Sequence, residues 1–231
     1  MSLHEMKLTR RLQIKSEERM IDFLNKQPVG RISSVDINGF PQIIPMNFVF
    51  VKSNYKVNKS DTLVNLNSIY MHSHPFGEKI ENIKRNSKVG FEVDQHICFL
   101  PSYYFHPTDA SQADTLYISV VIKGNAYLID DNDEKAFALN MLMKKYQTEG
   151  LYEPLTRHMS SVNAVSVIRV VSQEMQGKYK IGQHWMPAYR LKMAEKIVNR
   201  EGRFGSKVIL DFMGIEMDHS GNLQIKKEPF M

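Results

Sequence analysis

The sequence predicts an α+β fold, mainly β, built on an antiparallel sheet or barrel. Three observations carry this. β-rich runs bounded by turn residues recur along the chain, and two of them flank "NGFP" (Asn38 to Pro41) as a hairpin. Helical patterns are inserted at intervals, without the strand–helix–strand alternation that a parallel sheet requires. At 231 residues the chain suffices for one sizeable core, or for one domain with an appended element.

The elements follow in order. Ser16 to Gln27 opens with a serine and two glutamates, and Met20, Ile21, Phe23 and Leu24 recur at helical spacing. Val29 to Val51 is the hairpin. Lys52 to Thr62 is polar and turn-like, a long loop before the strand predicted over Leu63 to Ser73. From Phe76 to Asn86 the spacing turns helical, with Phe76, Ile80 and Ile83 predicted on one face. Lys88 to Asp94 returns to strand, and Leu100 to Gln112 reads as a loop. A long β run covers Thr115 to Asp130, a helix Glu134 to Tyr146, and a last strand Ala164 to Lys178. Beyond about Gly182, "MPAYRLKMAEKIVNRE" predicts a helix, followed by an irregular or short mixed end.

Composition narrows the class. With 42% hydrophobic and 24% charged residues the chain is ordinary for a globular protein. The single cysteine, Cys98, excludes an intrachain disulfide and any multi-cysteine zinc site. The first residues carry no apolar core of a secretory signal, and the longest apolar run, Ile43 to Val51, is too short to cross a bilayer. A cytoplasmic protein without a membrane partner is expected. The net charge of +5 and pI of about 9.1 come from scattered Lys and Arg rather than one basic element. That pattern argues against nucleic acid; a solvated basic surface or an anionic small ligand suits it.

The densest chemistry lies in "HSHPFGEK", His72 to Lys79. His72 and His74, two apart on a strand, share a face, and with Glu78 could form a cupin-like metal set. Against this, Glu78 falls in a first helical turn, where an acid is expected for the dipole, and Pro75 bends the chain. Alternatively the stretch grips a phosphate: Ser73 offers a hydroxyl, Gly77 allows close backbone approach, the helix start offers amides, and Lys79 supplies charge. A third reading makes Ser73 only the helix cap and Lys79 a solvated cation. On these residues alone the third is favoured.

The wider context changes the weighting. "IYMHSHPFGEKIENIKRNSKVGFEVD" resembles the central signature of the FMN-binding split-barrel proteins, within the pyridoxamine 5′-phosphate oxidase-like superfamily, and most of all its nitroimidazole-resistance branch. "VGRISSVDINGFPQIIPMNFVF" is similar to that family's first hairpin. "LYISVVIKGNAYLIDDNDEKAFALNMLMKKY" is like its Ser-Val strand, acidic turn and following helix, and "VSVIRVVSQEMQGK" like its closing strand. Together they run in order from about Met20 to Lys178. The chain departs from the pattern at Glu78, where the family usually has Arg, in the long 52–62 connection, and in the tail beyond Gly182.

The resemblance implies a six-stranded antiparallel split β-barrel over 1–181, with flanking helices, and a C-terminal helical extension, 182–231, packed on the barrel or a dimer partner. It implies a homodimer with FMN at the subunit interface. Ser73 and Lys79 would hold the phosphate with His72 nearby, and Pro45, Met46, Asn47 and Phe48 would lie along the flavin edge. Asn47 attracts notice on its own account, because an amide inside an apolar run needs partners if buried. Ser119 is a candidate from the other side of the cleft; barrel-interior packing would explain it equally. Trp185 and Arg190 could cover the cofactor, or Trp185 could anchor the tail helix. The implied activity is that of an oxidoreductase, a flavin reductase or nitroreductase-like enzyme drawing hydride from NAD(P)H, with His72 as a proton source. Without a dinucleotide-binding loop, the donor would bind on the flavin face itself. The alternatives are a flavin, haem or deazaflavin binder without turnover, or the metalloprotein using His72, His74 and Glu78.

Overall fold

The computed structural model describes residues 11–52, 67–226 and 229. The 53–62 part of the long connection, and the strand start predicted at Leu63 to Leu66, lie outside the described residues. In chain order the elements are β1 (Gln13–Ile14), α1 (Glu17–Lys26), β2 (Gly30–Val35), β3 (Pro41–Met46), β4 (Val49–Val51), β5 (Ser68–Ser73), α2 (Glu78–Arg85) and β6 (Lys88–Leu100). They continue with β7 (Asp114–Ile129), α3 (Asn132–Tyr146), α4 (Ser160–Asn163), β8 (Ser166–Lys180), α5 (Pro187–Phe212), β9 (Ile215–Met217) and β10 (Leu223–Ile225). The fold is α+β and mainly antiparallel sheet.

Eight strands form the main sheet, in the order β3-β2-β6-β7-β8-β5-β4, with β1 added on β8. Six were expected. The run Pro41 to Val51, read as one strand, breaks at Asn47 and Phe48 into β3 and β4, and two-residue β1 is too short to leave a pattern. The path therefore ends on two strands that are successive in the chain. The break at Asn47–Phe48 is where this sheet opens.

The described chain divides into two compact units: 11–19 with 94–119 and 177–229, and 20–52 with 67–93 and 120–176. In the second, β2 and β3 pair from Gly30↔Met46 to Val35↔Pro41. Their turn is set by the Asp36 carboxylate, which accepts the amides of Asn38 and Phe40 at 2.8 Å each, while Gly39 takes φ 89°. β2 also pairs β6, and β5 pairs β8 from Ser68↔Val171 to Ser73↔Ser166. Helix α3 starts two residues before Glu134 because Asp131 caps it, its side chain accepting the Glu134 amide at 2.8 Å. The apolar face of α3, with Ala138, Leu139 and Leu142, buries against Val49, Tyr70, Val162 and Val167.

In the first unit β1 pairs β8 at Gln13↔Lys178 and Ile14↔Gly177. Helix α5 has Pro187 at its start and buries Met193, Ala194 and Ile197 against Cys98, Leu100, Tyr104 and Leu116. Gly202 breaks it with φ 73° and ψ 172°, and the second piece carries Ile209 and Leu210 into the same core. The irregular end expected after it is the β9–β10 hairpin, whose carbonyls at Asp218 and His219 accept the Arg203 guanidinium. No helix among the described residues is long and apolar enough to cross a membrane.

Candidate functional site

Strand β5 delivers "HSHPFGEK" to the surface. Its first four residues, Ser68 to Met71, are buried, and His72 is exposed. The Ser73 hydroxyl donates to the His74 carbonyl at 3.0 Å. It therefore does not cap α2: the cap position belongs to Gly77, at φ 137° and ψ 164°, with no side-chain cap bond. Gly77 is glycine for that backbone angle; a Cβ there meets nothing within 4 Å. Phe76 was expected on the helix's apolar face, but it precedes the helix and is exposed, because Gly77 turns the chain before α2 begins.

The polar support lies behind α2. Asn82, 2% exposed, donates to Ser34 Oγ and Gln42 Oε1 at 3.3 Å each, and its carbonyl accepts from Arg85 at 2.8 Å. Arg85 also donates to the Val35 carbonyl at 2.6 Å, which ties α2 to the end of β2. Glu78, the residue that departs from the family pattern, accepts from the Gln42 side-chain amide. Its carboxylate is thus engaged towards β3. Lys79 is half-buried and makes no ion pair among the described residues. Ile80 and Glu81 donate their amides to the Gly77 carbonyl at 3.0 and 3.3 Å, which leaves the Glu78 and Lys79 amides, uncapped by any side chain, without an intrahelical acceptor. Uncapped amides, an unpaired lysine and an open glycine corner fit a phosphate.

The metal set is not assembled. His74 Nδ1 accepts the Phe76 amide at 3.3 Å, its ring lies 5.6 Å from the Phe76 ring, and Glu78 is held by Gln42. No group of three His, Cys, Asp or Glu side chains able to hold a metal ion occurs among the described residues.

The predicted flavin-edge strand divides by burial. Pro45 and Asn47 are exposed, Met46 is half-buried and Phe48 is fully buried. The Asn47 amide is not a buried group in want of partners: it is exposed and donates to the Pro28 carbonyl at 3.2 Å. The Phe48 ring packs edge-on to Phe91 at 5.1 Å, and Lys145 Nζ sits 3.7 Å above it. Sequence reading missed Tyr146. Its hydroxyl accepts the Phe48 amide at 2.8 Å and lies 2.7 Å from the Pro28 carbonyl and 3.0 Å from that of Phe48. The sheet opening is stapled by one phenol.

Lys145, beside it, donates to the Leu24 carbonyl at 3.3 Å, and burial lowers its pKa to about 8. In the same unit Glu134 accepts from Tyr70 at 2.9 Å and Arg169 at 2.7 Å. Desolvation, then the Glu134 charge, raises the Tyr70 pKa.

The remaining candidates lie in the first unit. Ser119 is half-buried on β7, on the face of Tyr117 and opposite the fully buried Leu116 and Ile118. Trp185 is partly buried against the α5 core, with its ring 5.6 Å from Tyr189 and pressed on Gly182, where a Cβ would fall 2.6 Å from it. It anchors the tail helix. Arg190, on the buried face of α5, is 4% exposed, and its Nε has no hydrogen-bond partner among the described residues.

An antiparallel sheet that opens between successive strands, with a glycine-led helix behind one of them, defines a split-barrel protein. The chain belongs to the pyridoxamine 5′-phosphate oxidase family, whose model matches residues 16–179. Three solved structures share the fold. A candidate 5-nitroimidazole antibiotic resistance protein from Bacteroides thetaiotaomicron is 24% identical, with a TM-score of 0.55 over 72% of this chain and 86% of its own. The flavocytochrome Anf3 from Azotobacter vinelandii is 18% identical, with a TM-score of 0.56 over 75% and 72%. The FAD and haem binding protein from Mycobacterium smegmatis is 14% identical, with a TM-score of 0.53 over 73% of each chain. No curated protein matches the chain.

Proposed function

We propose that this protein is an FMN-binding oxidoreductase that takes hydride from a nicotinamide donor and passes electrons to a small acceptor, with nitroaromatic compounds as the acceptor class. The observation that carries this reading is the start of α2 in a chain of this family: Gly77 leading the uncapped Glu78 and Lys79 amides, with the Lys79 side chain making no ion pair among the described residues. A flavin bound there would supply two-electron redox chemistry. Lys79 and the amides would bind its phosphate, with Ser73 turning its hydroxyl from the His74 carbonyl to the ligand. Exposed His72, one residue before Ser73, would hold a proton for the acceptor. That one neighbour binds FAD and haem, and another is a flavocytochrome, supports flavin as the ligand class.

The reading includes a homodimer. Ile37, Phe40 and Ile43 on the β2–β3 hairpin, with Phe76, are exposed apolar side chains suited to a second copy. An absorbance spectrum of the purified protein, followed by anaerobic NADH or NADPH, tests the function. Flavin bands that bleach on donor addition are expected; a flavin that no donor bleaches sinks the oxidoreductase reading, and a protein without flavin sinks the whole. Lys79→Ala should weaken FMN binding by ~1–3 kcal/mol, roughly 5- to 150-fold. His74→Ala should leave it within about twofold, since that ring already serves the Phe76 amide. Equal flavin retention by the two variants refutes the phosphate assignment.

A further inference from the structure

A second concave site lies wholly in the first unit, among none of the residues given to the flavin. It is a cavity of about 640 Å³, bounded by the chain around β1, the end of β8 and the turn before α5. Arg11, Lys15 and Arg19 line it, with Tyr179, Gln183 and His184. Among the described residues no carboxylate lines it, and none of the three cations has an ion pair. Three other cations of the same unit do have ion pairs: Lys180 with Asp114, Arg200 with Glu201 and Lys226 with Glu216. Three cations without an ion pair among the described residues repel one another around one concavity and focus a positive potential on it.

The floor is organised rather than loose. Gln183 donates to the Arg11 and Tyr179 carbonyls at 3.1 and 2.9 Å, and its own carbonyl accepts the Ile181 amide at 2.9 Å. That one side chain joins Arg11, two residues before β1, to the end of β8. The Ser16 hydroxyl already accepts the Arg19 amide at 3.2 Å, so the attraction for an anion comes from side chains and not from a free helix end. His184 is held below its ordinary pKa by desolvation and then by Lys180 and Arg11. Its charged form is thereby disfavoured, and it presents a hydrogen-bonding imidazole.

We propose that this cavity binds a small polyanion, a ligand carrying at least two negative charges on clustered oxygens. A phosphate-bearing metabolite and a polycarboxylate share that chemistry. Isothermal titration of the full protein with inorganic pyrophosphate and, separately, with citrate tests it. Saturable binding that weakens steeply with salt is expected for at least one of them. The triple variant Arg11→Gln, Lys15→Gln, Arg19→Gln should lose at least tenfold in affinity. Lys123→Gln, which removes an exposed cation paired with Glu174, should lose less than twofold. Binding of pyrophosphate alone identifies a phosphate ligand, and of citrate alone a polycarboxylate; either supports the site. No saturable heat with both, or an equal loss in Lys123→Gln and the triple variant, overturns it. Because the readout is heat and not turnover, failure of the flavin reading leaves the result intact.

Discussion

Removing the Tyr146 hydroxyl tests how the sheet opening is held. Tyr146→Phe keeps the ring and deletes one oxygen, which accepts from the Phe48 amide and stands within donating distance of two carbonyls. One hydroxyl proton serves one carbonyl at a time, so the loss is one accepted and one donated bond. Each is worth ~1 kcal/mol net, and an amide left unpaired in a buried residue costs ~1–3 kcal/mol. Phe48 is fully buried, but the tyrosine is 37% exposed, so water recovers part of the loss. The expected cost is therefore about 2 kcal/mol. For a chain of this length that is a fall in Tm of roughly 4–8 °C. Urea unfolding followed by circular dichroism reads it, with an unchanged m value as the sign that the native sheet persists. Tyr152→Phe, whose hydroxyl makes no hydrogen bond among the described residues, is the control. A loss no larger than that control's would refute the staple.

Three further outcomes are expected. The folded chain releases the Lys145 proton near pH 8 and the unfolded chain near about 10.4. Between those values the unfolded state binds more protons, so stability rises with pH there; Lys145→Met should abolish that part of the rise in urea midpoints taken from pH 7 to 10.5. Glu134→Gln leaves Arg169, whose Nε already lacks a partner, half-buried without its counter-charge, and should cost about 3 kcal/mol by urea unfolding. Gly124→Ala would place a Cβ 2.3 Å from the Val171 carbonyl oxygen, a backbone atom that cannot rotate away, so a loss above ~2 kcal/mol is expected by the same measurement.

The legible parts of this molecule are those whose signals are local. The Ser16 start of α1 and its buried Met20, Ile21, Phe23 and Leu24 stand within ten residues, and the structure returns them unchanged. The turn at Asp36 to Phe40 announced itself because one carboxylate and one glycine do the work. The strand end and helix start within His72 to Lys79 were legible for the same reason, and the structure changes their details. Gly77 rather than Ser73 heads the helix, and Glu78 is turned towards Gln42.

What escaped the sequence is fixed by register and by distance along the chain. Asn47 was read as a buried amide because its neighbours are apolar, yet β3 alternates between exposed and half-buried positions and closes off no face completely. Asn47 follows directly on that strand and is exposed, although Phe48, Val49 and Phe50 after it are buried. Tyr146 meets Phe48 across 98 residues, and nothing at either end of that separation marks the pairing. A tyrosine closing a helix is ordinary until the tertiary fold sets its hydroxyl against a strand break. The same logic applies to Asn82, which reads as a polar residue on a charged helix and is instead buried between Ile80 and Ile83. Its partners, Ser34 and Gln42, face each other across the β2–β3 register. Where the start of α2 stands thus depends on a hairpin 40 residues upstream of Asn82. A change of one residue in that hairpin's register would turn Ser34 and Gln42 to the other face and leave Asn82 buried without acceptors.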